Sequence, residues 1–265
     1  MHKRTALPVC VGLFLCLAAF PARAQEDQEE KTAYEYEDSG WESGFDKLIV
    51  GMGVLYYSQP YTGVDSQAFP APLVVAEYKG FFADGKSFGY YAVEEGGFKL
   101  AAVLDPRIQG YEPDDSSDLN GMAERDWSLD IGARLEWDND YFSLSTTLLT
   151  DLLDNHQGQE LSVVVEKEFF DGFLTPYLGL AWQSKDLVRY YYGVEGNEAR
   201  PERPVYEPDA ELNLLTGLRL AYPVGDNWAV VGDISYEGYG SEIQDSPIVD
   251  EDQQLRYMLG GVYRF

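Results

Sequence analysis

Cysteine is almost missing from this chain of 265 residues: there are two, Cys10 and Cys16, and both fall within the first 24 residues. Histidine is as scarce, at two, and 19 Lys and Arg stand against 46 Asp and Glu, a formal charge of −27. Each shortage excludes something. Beyond residue 24 neither a disulfide framework nor a thiolate metal centre can form. With so few basic residues a nucleic-acid binder is excluded, because a phosphate backbone would be repelled where a basic groove should attract it. No apolar run reaches the roughly 20 residues that a membrane-spanning helix needs. What is plentiful is aromatic surface, with 20 Tyr, 13 Phe and 5 Trp, too much for low-complexity disorder over the bulk of the chain.

Residues 1–24 read as a secretory signal: His2, Lys3 and Arg4 make a basic start, Val9 to Phe20 is apolar, and Ala22-Arg23-Ala24 is a small-x-small cleavage site. Its removal takes away Lys3, Arg4 and Arg23 and no acid. The remainder has 16 basic against 46 acidic residues, a formal charge of −30, and a single histidine, His156. Residues 25–47 follow as an acidic stretch without an apolar period, which predicts a flexible periplasmic leader. Tyr34, Tyr36 and Trp41 would be its anchors if it served as a handle for a partner.

From Leu48 onward the hydrophobic period is two. Trp127, Leu129, Ile131, Ala133, Leu135 and Trp137 share one face, with Ser128, Asp130, Gly132, Arg134 and Glu136 on the other. The pattern recurs from Leu212 to Tyr222 and from Trp228 to Tyr236. These strands run about ten residues, joined alternately by short turns (138–140, 171–172, 225–227) and by long polar loops (109–126, 185–209, 237–253). That asymmetry fits an antiparallel transmembrane β-barrel over residues 48–265, with turns in the periplasm and long loops outside.

A soluble β-sandwich also alternates, and the last strand separates the two. Leu255, Tyr257, Leu259, Gly261, Tyr263 and Phe265 form an apolar stripe that runs to the end of the chain, costly in water and favourable at a membrane interface. Tyr263 and Phe265 also resemble the C-terminal signal that outer-membrane barrels show to their assembly machinery. Eleven strands can be marked, including one over Pro70–Lys79 and one over Phe81–Tyr91. An odd number cannot close with both ends in the periplasm, so one strand before residue 98 is missed or split. Twelve is expected, with ten as the alternative.

Several elements, in order, carry a family resemblance: Gly51-Met52-Gly53, Tyr61, Pro72-Leu73-Val74, Phe81-Phe82 with Gly89-Tyr90, Tyr191-Tyr192-Gly193-Val194, Asp245-Ser246-Pro247-Ile248-Val249, and Gly260-Gly261-Val262-Tyr263-Arg264-Phe265. Over residues 48–265 the chain resembles the MipA/OmpV family of outer-membrane barrels. The leader and loops are more acidic than that family leads one to expect. The resemblance implies a scaffold that brings a lytic murein transglycosylase together with a murein synthase. Other members are described as osmotic-response, adhesion or porin-like proteins. It brings no catalytic residue and no cofactor with it.

Read from the residues, the inward-facing charges are Asp130, Arg134, Glu136, Glu211, Arg219, Asp233, Arg256 and Arg264, joined by Glu166, Glu168 and Glu237. They either cross-link a filled interior or make a passive channel with weak cation preference, since acids outnumber arginines. A rim hydrolase needs a nucleophile beside His156, and Asp154-Asn155-His156-Gln157-Gly158 offers no such motif, so His156 reads as a turn residue. The acidic loops 109–126 and 237–253 read as solvated faces, with divalent cations that bridge lipopolysaccharide as the alternative. The expected surroundings are outer-membrane lipid, lipopolysaccharide and the barrel assembly machinery. The first function hypothesis is a non-enzymatic scaffold, the second a channel, the third the hydrolase.

Overall fold

The computed structural model describes residues 45–265; the proposed signal segment and all but the last residues of the acidic leader lie outside the described residues. Period-two alternation produces twelve strands: β1 (Lys47–Tyr57), β2 (Gln67–Tyr78), β3 (Phe81–Asp84), β4 (Ser87–Glu95), β5 (Phe98–Arg107), β6 (Ser128–Asp138), β7 (Ser143–Asp151), β8 (Gln159–Glu166), β9 (Leu174–Gln183), β10 (Glu211–Val224), β11 (Trp228–Gly238) and β12 (Gln253–Arg264). Each pairs antiparallel with its neighbours, and β1 pairs with β12 from Ile49↔Arg264 to Tyr57↔Arg256, so the sheet closes on itself. Closure removes the sheet edges at this seam, which a bilayer without water requires.

The even strand count comes from a turn that the hydrophobic pattern conceals. Residues Phe81–Tyr91 look like one apolar strand, yet Asp84-Gly85-Lys86-Ser87 folds the chain back, with Asp84 paired to Ser87 and Gly85 at φ +65°. Asp-Gly was the available signal, because glycine takes a positive φ without a Cβ penalty. β2 likewise begins at Gln67, three residues before the expected start, and carries Pro70 and Pro72 inside a strand.

Alternation decides what faces lipid and what faces inward. On β6, Ile131, Leu135 and Trp137 are exposed on the outer surface, whereas Asp130 is 1% exposed. Aromatic contacts ring the periplasmic side, including Phe98 with Trp137, Phe173 with Tyr222, and Trp228 with Tyr263, which itself packs on Phe265. Tyr56 and Tyr257 meet towards the opposite rim. These are the girdles of a membrane barrel, and the apolar band lies between them.

Part of the interior is a packed core rather than a pore. Ile49, Leu55, Ala71, Leu73, Val75, Val231, Met258 and Val262 are buried together against the inner faces of β1, β2, β11 and β12. Gly260 makes this possible: a Cβ there would come within 2.5 Å of Leu73 Cδ1 and 2.8 Å of the Met52 carbonyl oxygen. Truncating Leu73 to Ala would cost about 2–5 kcal/mol, the usual figure for a buried leucine.

Candidate functional site

The loops at the extracellular end build a second core. Helix α1 (Lys185–Tyr192) presents Leu187, Val188, Tyr191 and Tyr192 on one buried face, a spacing of one and four that a 3.6-residue period brings together. Tyr61, Tyr111, Leu119, Met122, Val194 and Tyr239 pack with that face, as do Ile243 of the short helix α2 (Ser241–Gln244) and Ile248. Tyr61 lies 4.7 Å from Tyr111 and 5.9 Å from Tyr192 between ring centroids. Burial raises the phenols of Tyr61, Tyr192 and Tyr239 well above the usual range and pushes Tyr111 up to about 12, so all stay neutral.

Polar bonds fasten this cap. A single nitrogen of Arg125, Nη2, donates to both Glu198 oxygens at 3.0 and 3.1 Å, and the N–H groups of Ala123 and Glu195 donate to the same carboxylate at 2.8 Å each. Burial alone would raise this carboxyl; the two backbone donors and the guanidinium outweigh it and hold the group below the usual range. Arg203 donates to the carbonyls of Asp118, Asn120 and Glu198, and Ser246 Oγ to the carbonyl of Tyr192 at 2.6 Å. Three of the family-like elements thus converge here: Tyr61 bridges to Val249, and Ser246 and Ile248 sit against Tyr192.

Beneath the cap lies a buried ionic chain. Arg107 donates to Asp130 through Nε at 2.8 Å and Nη2 at 2.7 Å, and through Nη1 to Glu160 at 3.1 Å, which also accepts from Gln183 at 3.0 Å. His156 Nε2 donates to the other Asp130 oxygen at 3.0 Å, a tautomer assigned because the N–H of Gly158 donates to Nδ1 at 3.1 Å. Asp151 ties down the loop 152–158, accepting from the N–H groups of His156, Gln157 and Leu153 and from Ser128 Oγ. His156 does sit on a turn, but its ring is sealed in against Tyr190 and Tyr191.

Asp130, Asp151 and His156 bring three ligand-type atoms within 4.8 Å of one another. Their donor set does not suit a cation. Both Asp130 oxygens already accept, from Arg107 and His156, both Asp151 oxygens accept two bonds each, and a guanidinium occupies the approach. The same bookkeeping applies to general-base chemistry: neither ring nitrogen of His156 is free to take a proton from a nucleophile.

Beside this chain runs a cavity of about 1060 Å³ that extends from the loop residues Glu112, Asp115, Glu124 and Asp126 past Arg107 to the periplasmic turn. Arg134, Glu136, Arg219, Asp233 and Arg256, all read from the sequence as inward, line it, and so do Glu160, Glu166 and Glu237. Arg219 pairs with Glu166, and Arg256 lies 3.8 Å from Glu237. Asp130 is placed above, in the ionic chain, and Glu211 accepts from the N–H of Glu242 at 2.6 Å, fixing α2. Arg264 borders a separate small recess with Asn227 and Trp228 at the periplasmic rim. Sequence reading passed over Arg107, Asp105 and Lys86, although the alternation Lys99, Ala101, Val103, Asp105, Arg107 carried the signal.

A closed twelve-strand antiparallel barrel with an outward apolar band defines the class: an integral β-barrel of the Gram-negative outer membrane. The chain belongs to the family described as MltA-interacting protein MipA, whose model matches residues 50–265. It is 29% identical over 224 residues to the MltA-interacting protein of Escherichia coli (strain K12), covering 83% of this chain and 90% of that one. It is 30% identical over 170 residues to outer membrane protein OmpV of Vibrio cholerae, covering 63% and 65%. Among solved structures, the outer membrane channel DcaP of Acinetobacter baumannii is similar at a TM-score of 0.37 and 9% identity, covering 83% of this chain and 96% of that one. So loose a likeness carries no functional argument.

Proposed function

We propose that the protein is a non-catalytic interaction protein that uses the barrel as an anchor and offers its periplasmic face to murein-processing enzymes. The observation that carries this reading is the cap: a tyrosine-rich core and a buried ionic chain fill much of the extracellular end, and the cavity beside them continues down to the periplasmic turn residues Asp138 to Ser143 and Glu168. On that side Tyr141 and Phe170 stand 74% and 75% exposed, the kind of aromatic anchor that interfaces use. One relative is itself named for interaction with MltA, which favours a murein transglycosylase as partner, and the family resemblance adds a murein synthase. The engagement of both His156 nitrogens supports the absence of catalysis.

Crosslinking in intact envelopes followed by pull-down of the tagged protein tests this. Recovery of a lytic transglycosylase that falls at least tenfold in a Tyr141→Ala, Phe170→Ala variant is the expected result; equal recovery with an unrelated barrel would refute the proposal. A passive channel is the second reading, favoured by the acid-rich cavity lining, and planar-bilayer conductance at neutral pH addresses it directly.

A further inference from the structure

The barrel wall is incomplete in its extracellular half. β3 pairs with β2 only from Val75 to Tyr78, so among the described residues eight of the twelve positions of β2, Gln67–Val74, have a ladder on the β1 side alone. Across the opening, β4 reaches only to Ser87, paired up to Phe88↔Leu104, and Asp105–Arg107 of β5 have a ladder only with β6. The result is a framed window. Its sill is the Gly85-Lys86 turn, its jambs are β2 and the top of β5, and its lintel is the approach of Gly63 to Ser116. At about 3.4 Å per residue the β2 jamb is roughly 27 Å long.

Backbone direction shows that the opening is encoded. Lys79 and Gly80, at φ +50° and +83°, form a two-residue turn that makes Tyr78 and Phe81 the closing pair. Even-numbered residues of β2 therefore aim their amides towards β3 and, above it, into the window, consistent with the Glu77 carbonyl serving the β1 side through Asp46. The same logic from the Gly96-Gly97 turn aims the even-numbered residues of β5 at β4. The positions that face the window are then Ala68, Pro70, Pro72 and Val74 on β2 and Pro106 on β5. Three of the five are proline, which has no N–H to give. A strand from another segment or another protein would find few donors on either jamb.

The window opens between the girdles. Ala68 is in register with Tyr56 of the outer girdle, and the neighbouring outward residues Met52, Val54 and Leu259 are exposed to the apolar band. Just inside, the β2 jamb presents the partly buried Phe69, with Ala71 and Leu73 sealed in the core behind it, whereas the sill is polar, with Asp105 accepting from Ser87 at 2.6 Å and pairing with Lys86. Gln67, Lys86, Ser87, Asp105 and Ile108 also line the large cavity, so window and lumen are continuous.

We propose that this window is a lateral port for an acyl amphiphile of the outer leaflet, whose chain lies in the opening while its polar head enters the charged lumen. An apolar jamb beside a polar sill matches such a molecule, and the prolines disfavour a β-strand as occupant. The proposal does not depend on the partner reading above.

The test uses the full wild-type protein in proteoliposomes containing a lysophospholipid with a diazirine at the end of its acyl chain; irradiation is followed by mass-spectrometric mapping of adducts. Outward residues Met52, Val54 and Leu259 should be labelled in any case and serve as the internal control. Adducts on the inward residue Phe69, or on Lys86 or Ser87 at the sill, at a tenth or more of the outward level are expected. Labelling confined to the outward residues, as when the window is filled by another part of the chain, would overturn the proposal.

Discussion

Arg107 grips Asp130 through two hydrogen bonds, of 2.8 and 2.7 Å, that converge on the single oxygen Oδ2, the two residues lying on adjacent strands beneath the loop cap. Two desolvated ions in this geometry contribute little compared with apolar residues of the same shape, but removing one of them strands the other. Arg107→Ala should therefore cost about 3–5 kcal/mol in denaturant unfolding from detergent. The double variant Arg107→Leu, Asp130→Leu should lose distinctly less. Additive losses would mean that the two side chains are not coupled.

Acid should loosen the cap in a defined window. Glu198 has a folded-state pKa below the ordinary 4.5, so its contribution is fully present above that value and is lost as pH falls through the lowered one. Limited proteolysis of the loops should stay constant from neutral pH to about 4.5 and accelerate below it. Glu198→Gln should already be sensitive at neutral pH and lack this acid step. An unchanged acid step in the variant would place the titration elsewhere.

Conductance should depend on the cap. Wild-type protein in planar bilayers is expected to be silent or nearly so, and Tyr191→Ala with Tyr192→Ala, which empties the centre of the loop core, should produce open events. Large steady conductance from the unaltered protein would favour the channel reading instead.

Face assignment has its own measurement. Ile131 is exposed in the apolar band, in register with Leu104, and Arg in its place should cost about 2–4 kcal/mol if the site lies near the bilayer midplane. Ser162, which lines the cavity from β8, should tolerate the same charge far better. Equal penalties at the two positions would contradict the register.

Strand number and closure were legible because alternation is local: Trp127 to Trp137 carries it without reference to any other segment. The β3–β4 hairpin was not, since Phe81, Phe82, Phe88, Tyr90 and Tyr91 keep the run apolar across a turn whose only mark is Asp84-Gly85. His156 shows a different limit. Its turn was visible, but its burial depends on Asp130, 26 positions away, and on Tyr191, contacts that no local pattern encodes. The cap was hidden for the same reason: Tyr61 and Val249 are far apart in sequence, and their loops read as polar until folded against each other.

The seam between β1 and β12 sets the order of events in assembly. Ile49 and Arg264 are partners with nearly the whole chain between them, so this pairing bears the largest loop-closure entropy in the molecule and cannot begin until the last strand is available. Every hairpin can form earlier and locally, but each partial sheet carries two raw edges in an envelope crowded with other unpaired strands. Closure is thus a late, all-or-none step. A chain that pauses before it is a substrate for proteases and holding chaperones, and the seam acts as a kinetic checkpoint between a translocated polypeptide and a membrane protein.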